Sequence, residues 1–330
     1  MTGQRKKYYW RVGFPLGVLI ACEVALRVTV GLGSPPLSQA DSLMGYRFQP
    51  NQNLQRFGNQ IIYNQYSQRS NPITPQKPPD TLRILMIGDS VLNGGAILDQ
   101  GETISGQLQA KFDQAGIRAE VLNASAGSWG IGNQLGYVQR FGFLDSDLLI
   151  LQIGTHDLIQ PTSTGDRIGS DPNYPTQKPL LALQELITRY LMPHLLLQLG
   201  WFAPTSEIPA TTLPPQQQFE ENLGDLQTLL NLAQQENIPV LVLYTPDWVD
   251  VLPQPSTPTY KPPFVEFLTA QDVGLIDTHE DWGQLPPEQV SLYFRDSVHL
   301  TALGNQRIAQ LLWNSLCVNR DTSAAPLCSD

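Results

Sequence analysis

Charged side chains are scarce in this chain: Asp, Glu, Lys and Arg make up 15% of its 330 residues, against about 25% in an average globular domain. The scarcity does not imply disorder, because 41% of the residues are hydrophobic and a chain of this length can bury a sizeable core. Basic residues are the rarer sign, 20 against 30 acidic, for a net charge of -10. Such a surface repels a phosphate backbone, so nucleic acid is not an expected partner. Cysteines number three, too few for a disulfide-held miniprotein and too far from the histidines for a zinc pattern. No Gly-x-x-x-x-Gly-Lys stretch provides a nucleotide phosphate loop, and no repeat with a period of roughly 20 to 50 residues is present. Neither a metal nor another cofactor is therefore expected. Proline (27) and glycine (26) are plentiful but follow no Gly-x-y period, which points to long surface loops rather than to a collagen-like chain.

What the sequence does contain begins with Arg5, Lys6, Lys7 and Arg11, set before an apolar stretch from Val12 to Cys22. The apolar character resumes after Glu23 and again after Arg27, up to Gly33. A basic start followed by an apolar run is a targeting pattern, and the stretch matches the roughly 20 residues that cross a bilayer. Residues 1–33 are thus expected to form an N-terminal membrane helix with its basic end cytoplasmic. The rest of the chain would then be extracytoplasmic, in the periplasm or at the cell surface. Each charge in lipid costs about 2.5–3.5 kcal/mol, a cost softened if Glu23 pairs with Arg27 one turn later. Leu19-Ile20-Ala21-Cys22 also looks like a bacterial lipobox, so an uncleaved anchor and a lipoprotein attached through Cys22 stand as alternatives. Outside the cytoplasm, Cys317 and Cys328 either pair to close a short C-terminal loop or remain free thiols.

Residues 34–80 are polar and read as a linker plus a small hairpin, with short strands around Phe57 to Tyr66 and Gly58-Asn59 as a turn dipeptide. From residue 81 the texture changes. Leu82–Ile87, Ala119–Leu122, Leu148–Ile153, Val240–Tyr244 and Leu275–Asp277 are expected strands. Between them Ile104–Ala115, Asn133–Phe141, Gln216–Glu236 and Pro263–Asp272 carry helical spacing, and Thr301–Leu316 closes the pattern. Alternation of this kind predicts an α/β domain over residues 81–318, with a central parallel five-stranded sheet between two helical layers. Sites in such sheets form beyond the carboxyl ends of the strands. Two Pro-rich inserts, residues 161–215 with an apolar helix at Leu180–Leu199 and residues 246–263, would lie over or beside that edge. Residues 319–330 are read as a C-terminal tail.

The first core strand runs into Gly88-Asp89-Ser90, delivering a serine hydroxyl at a strand end with a glycine to permit the tight turn. Near the other end, Asp296 and His299 stand three apart before the last helix, a spacing that lets the carboxylate reach Nδ1 while Nε2 faces elsewhere. Taken singly, the tripeptide is a common one and the pair reads as an acidic turn beside a surface histidine. Taken together, with loops bearing Gly or Asn after the intervening strands, they converge on one sheet edge. His194 and His279 lie outside these blocks and read as structural or surface residues. Trp129, Trp201, Trp248 and Trp282 are either core plugs or a sugar-stacking platform.

These blocks resemble the SGNH (GDSL-type) hydrolase and acyl-esterase family over residues 82 to 317. Ile87-Gly88-Asp89-Ser90 matches its first block, and Asp296-Ser297-Val298-His299-Leu300 followed by Gly304 matches its last. Asn123-Ala124-Ser125-Ala126-Gly127-Ser128-Trp129-Gly130 corresponds to the second, with Ser128 where the family has its donor glycine. Gly154-Thr155-His156-Asp157 corresponds to the third, with His156 in the place of asparagine. The resemblance implies a flavodoxin-like three-layer fold. It also implies a serine acyl-transfer mechanism in which His299 takes the Ser90 proton, Asp296 fixes the tautomer and an acyl-enzyme forms. The oxyanion would be held by the main-chain N–H of Ser90, that of Ser128 or Gly127, and the His156 side chain. The expected activity is that of a membrane-anchored serine esterase or O-acyltransferase acting on acyl, above all acetyl, esters of carbohydrate. The alternatives are a lipid esterase or lysophospholipase using the insert helix as an acyl groove, and a catalytically weak binding module of an envelope polysaccharide assembly.

Overall fold

The computed structural model describes residues 2–199 and 213–318, with side chains from residue 14 onward. Among these residues nine strands form. Ser38–Asp41 (β1) pairs antiparallel with Gly45–Phe48 (β2), and Gln52–Arg56 (β3) with Asn59–Tyr63 (β4). The core strands are Leu82–Gly88 (β5), Ala119–Ser125 (β6), Leu148–Gly154 (β7), Val240–Thr245 (β8) and Gly274–Asp277 (β9). They pair in parallel in the order β6-β5-β7-β8-β9, a doubly wound arrangement.

The helices are Thr2–Ala25 (α1), Ser90–Asn93 (α2), Ile104–Gln114 (α3), Ile131–Phe141 (α4), Ala182–Glu185 (α5) and Met192–Gln198 (α6). They continue with Pro215–Gln235 (α7), Trp248–Val251 (α8), Lys261–Ala270 (α9), Thr278–Gly283 (α10), Pro287–Ser291 (α11) and Ala302–Trp313 (α12). Successive side chains of a strand point to opposite faces, and β5 follows this rule: Ile84 and Met86 enter one apolar cluster while Leu85 and Ile87 enter the other. The first cluster is roofed by α3 and α12 through Leu108, Phe112, Ile308 and Leu312. The second is roofed by α4, α7 and α9 through Leu135, Val138, Leu226, Leu229 and Phe264. Both faces of the sheet are covered, which is why β7 is buried along its whole length.

Residues 34–80 do more than connect. Met44 and Tyr46 are part of the second cluster. The hairpin turn falls at Phe57 and Gly58, both with positive φ, ahead of the expected position, because Gly58-Asn59 ends the turn and β4 begins at Asn59. The close approach of this region to α4 depends on Gly136, where a Cβ would lie 2.2 Å from the Leu43 carbonyl oxygen. Alanine is the better helix former by up to about 1 kcal/mol, but overpacking against a main-chain atom costs about 1–3 kcal/mol. Gly136→Ala is therefore expected to destabilise the fold, read as a lower urea midpoint; an unchanged or raised midpoint refutes this packing.

The outer edge of β6 is lined with side chains and a neighbouring segment. The Gln109 amide accepts from Val121 N–H and donates to the Ala119 carbonyl, each at 2.9 Å. Ser70 Oγ accepts from Asn123 N–H at 2.8 Å, and Arg69 N–H donates to the Asn123 carbonyl at 2.7 Å.

The expected membrane-spanning helix is not supported: among the described residues no helix is long and apolar enough to cross a membrane. The reason lies in the last turns counted toward that span. Glu23 accepts from the N–H groups of Ala182 and Leu183 at 2.8 and 3.0 Å, and Arg27 donates to the Leu180 carbonyl at 2.8 Å. The Phe57 N–H donates to the Val30 carbonyl at 2.8 Å. These residues dock on the domain, so the apolar run is shorter than its sequence count. The first insert is anchored at the same place. Glu185 accepts from Gly33 N–H at 2.6 Å and pairs with Arg56 at 2.6 Å, with both side chains at most 4% exposed. Beyond it, Ile187, Leu191, Leu195 and Leu199 are exposed. Cys22 is a free, exposed thiol. Cys317 is disulfide-bonded, and Cys328, its expected partner, lies outside the described residues.

Candidate active site

The site is assembled at the carboxyl ends of the core strands. β5 ends at Gly88, where a Cβ would lie 2.4 Å from Gln152 Oε1 and would displace that side chain. Asp89 then caps α2, its Oδ1 accepting from Val91 N–H at 2.8 Å, a common way to start a helix. Ser90 is the first residue of that short helix, and its hydroxyl is held partly open to solvent.

His299 Nε2 lies 2.9 Å from Ser90 Oγ. On its other side, Nδ1 lies 2.9 and 3.0 Å from the two carboxylate oxygens of Asp296. An ionised carboxylate only accepts, so Nδ1 carries the proton and Nε2 is left as the acceptor for the serine hydroxyl. Burial acts to raise the Asp296 pKa, but the N–H groups of His299 and Val298 and the nearby imidazole outweigh it and hold the carboxyl below its ordinary value. Three residues separated by up to 209 positions thus form one hydrogen-bonded row.

The turn after β6 stands beside Ser90, because β5 and β6 are in register up to Gly88 and Ser125. Asn93 of α2 donates to the Ser125 carbonyl at 3.0 Å, and Asn123 donates to the Leu92 carbonyl at 2.9 Å. Ser128 adopts the left-handed conformation with φ of 57°, a backbone that glycine takes at lower cost. Tyr46 Oη donates to the Gly127 carbonyl at 2.5 Å, and Ser163 Oγ donates to that of Ser128. These braces come from β2 and from the first insert, two regions whose sequence carries no site signal.

The His156 ring lies between two carboxylates. Its Nε2 lies 2.8 Å from Asp89 Oδ2 and its Nδ1 lies 2.8 Å from Asp247 Oδ1. Both ring nitrogens are committed to carboxylates. Burial alone would lower the His156 pKa, but Asp157, Asp247 and Asp89 together hold it well above the ordinary histidine value. Asp157, wholly buried, is pushed well above the usual carboxylate range by desolvation and by the Asp89 charge. Asp89, His156 and Asp157 bring one ligand atom each within 4.8 Å of one another, a spacing a cation could use. A cation there would compete with the close contact between Nε2 and Asp89.

The other singled-out residues fall elsewhere. His279 accepts from Lys261 Nζ at 2.7 Å through Nδ1 and donates through Nε2 to the Ser256 carbonyl at 2.9 Å, a structural brace. His194 is exposed on α6. Trp129 and Trp282 are buried in the two core clusters, whereas Trp248 is 37% exposed; Trp201 lies outside the described residues. Sequence reasoning missed the side chains of Asp89 and Asp247. The available signal was their position, each within two residues of a core strand's carboxyl end.

A serine, a histidine and an aspartate in hydrogen-bonded sequence at the carboxyl edge of a doubly wound parallel sheet define a serine hydrolase of the α/β class. The model of the GDSL-like lipase/acylhydrolase family matches residues 86–307, two thirds of the chain. The protein belongs to that family. Solved structures similar to it include TesA, with 16% identity over 71% of this chain and 98% of that one at a TM-score of 0.42. The acetyl xylan esterase AlAXEase is 15% identical over 71% and 100% of the two chains, with a TM-score of 0.45. The psychrotrophic esterase EstA from Pseudoalteromonas is 15% identical over 71% and 95%, with a TM-score of 0.40. No curated protein matches the sequence.

Proposed function

We propose that this serine hydrolase uses Ser90 as nucleophile, His299 as general base and Asp296 as orienting carboxylate to cleave or transfer acyl groups, acetyl above all, carried as esters on carbohydrate. The observation that supports the reading is the contact between His299 Nε2 and Ser90 Oγ at 2.9 Å, with Asp296 on the far side of the ring. Ser90 Oγ attacks the ester carbonyl as its proton moves to Nε2. The same proton then goes to the departing alcohol, leaving an acyl group on Ser90. Water, or a hydroxyl of an acceptor, attacks that acyl group while His299 takes up its proton. The oxyanion is held by the main-chain N–H groups of Ser90 and of Ser128 or Gly127, with no share from the His156 ring.

An extracytoplasmic location belongs to the same proposal. The basic and apolar start of the chain and the disulfide at Cys317 support it, since disulfides persist in oxidising compartments. Attachment to the envelope by lipid on Cys22 is part of it; protein recovered wholly in the aqueous fraction of broken cells would count against attachment.

Exposed Ile187, Leu191, Leu195 and Leu199 in the first insert favour a second reading, that of a lipid esterase. The deciding experiment treats full-length protein with a fluorophosphonate and then with two substrates. Stoichiometric labelling at Ser90, acetate release from an acetylated polysaccharide and no fatty acid from a lysophospholipid are expected. Fatty acid without acetate selects the lipid reading, and an unlabelled Ser90 leaves a binding module.

A further inference from the structure

We propose that His156 is a positioning residue that acts as a doubly protonated imidazolium clamp, joining the turn that carries Ser90 to the loop that carries His299. The inference deepens the proposed esterase reading, but its geometry stands apart from that reading. A neutral imidazole donates from one nitrogen only. His156 faces a carboxylate at each nitrogen, Asp89 Oδ2 at Nε2 and Asp247 Oδ1 at Nδ1, both at 2.8 Å. Carboxylates cannot donate, so both contacts are hydrogen bonds only when both nitrogens carry protons.

The two partners stand where they control the catalytic geometry. Asp89 immediately precedes Ser90, and its other oxygen caps the helix that Ser90 begins. Asp247 immediately precedes Trp248, whose N–H donates at 2.8 Å to the carbonyl of Ser297, within the Asp296-to-His299 loop. Asp247 is held in turn by its own N–H, which donates to Asp250 Oδ2 at 2.8 Å. The path from Ser90 to His299 thus runs through Asp89, His156, Asp247, Trp248 and Ser297, alongside the direct contact between them.

The groups that face the ring from the surrounding elements are acidic. Asp89 comes from the end of β5, Asp247 from the start of α8, and Asp157 from its own turn, with Asp157 Oδ1 3.6 Å from Nε2. Behind them stand Asp250 and the Tyr244 hydroxyl, which contacts Thr155 Oγ1 at 2.6 Å. No basic group among the described residues makes a contact with the ring, and the raised His156 pKa agrees with this surrounding charge. The sign follows: a group whose folded pKa exceeds the unfolded value, near 6.5, gives its full stabilisation below that value. The stabilisation is lost as pH rises through the folded pKa. The clamp therefore opens on the alkaline side.

The test uses full-length protein with 15N-labelled histidine. At neutral pH the His156 ring is expected to show two protonated nitrogens and to keep both well into alkaline solution. The pH profile of kcat/KM for an aryl acetate is expected to fall on the alkaline side with the midpoint of the His156 titration. Asp247→Asn keeps the size of the loop residue and removes one charge, so both midpoints are expected to move together to lower pH. His156→Gln is expected to lower kcat/KM roughly 10- to 100-fold, the scale of a small misplacement of reacting groups, and to abolish that alkaline limb. A bare ring nitrogen at neutral pH overturns the clamp. So does an alkaline limb that Asp247→Asn leaves in place, or loss of the Nε2 proton on addition of zinc ion at neutral pH. Absence of both fluorophosphonate labelling and turnover would defeat the esterase reading instead, and the ring-nitrogen spectrum would still decide the clamp.

Discussion

Replacing Ser90 with alanine is expected to lower kcat for an activated ester by roughly 10⁴-fold or more, with the protein still folded. The magnitude follows from the unit that the residue belongs to. In a serine–histidine–aspartate row the hydroxyl, its proton acceptor and the group that orients the acceptor act together, and loss of the nucleophile removes nearly all of what the row provides. His299→Ala is expected to cost about as much, and the double replacement little more than either single one, because effects within such a unit do not add. Asp296 is a different case: its side chain is 47% exposed, so water can take over part of its contact with Nδ1, and its loss is expected to be the mildest of the three. Steady-state rates of the four variants on one aryl ester check the order. A Ser90→Ala enzyme within tenfold of wild type would show that the acyl group never resides on that oxygen.

The largest expected effect on stability comes from a site remote from the chemistry. Glu185→Ala is expected to destabilise the protein by about 3–5 kcal/mol, the usual consequence of leaving one member of a buried ion pair without its partner. Arg56 would lose the carboxylate 2.6 Å away while remaining 1% exposed, and Gly33 N–H would lose its acceptor. Replacing the pair together, as Arg56→Met with Glu185→Leu, is expected to restore most of the loss, since a buried pair often does no better than apolar residues of similar volume. Denaturant unfolding of wild type, single and double variants measures both statements; a single variant within about 1 kcal/mol of wild type would contradict them.

The core of the fold was legible because periodicity reports burial. β5 and β7 are apolar runs broken only by Arg83 and Gln152 and buried on both faces, and α3 and α7 carry their buried residues at helical spacing. β1 and β2 were not legible. Ser38–Asp41 and Gly45–Phe48 are short and largely polar, and they form by packing Met44 and Tyr46 against the finished domain. The N-terminal span was misread for a related reason: hydropathy counts Glu23 and Arg27 as charges to be tolerated in lipid, whereas they bind the main chain of residues 180–183. At the site, Ser90 and the Asp296–His299 pair could be singled out because each lies in a local block. The surroundings of His156 could not, since its two carboxylates are 67 and 91 residues away in sequence and only the crossovers of the sheet bring them together.

The covering of β6 bears on how the molecule behaves among its own kind. An uncovered border strand invites a second copy to add its own strand, the first step toward aggregates. Here the Gln109 amide satisfies Val121 and Ala119 while Ser70 and Arg69 satisfy Asn123, so a newcomer finds hydrogen bonds already made. The protection comes partly from residues upstream of the sheet. Trimming the protein back to the start of β5 would strip Arg69 and Ser70 from that border, and the shortened product is expected to clump where the longer one stays dispersed.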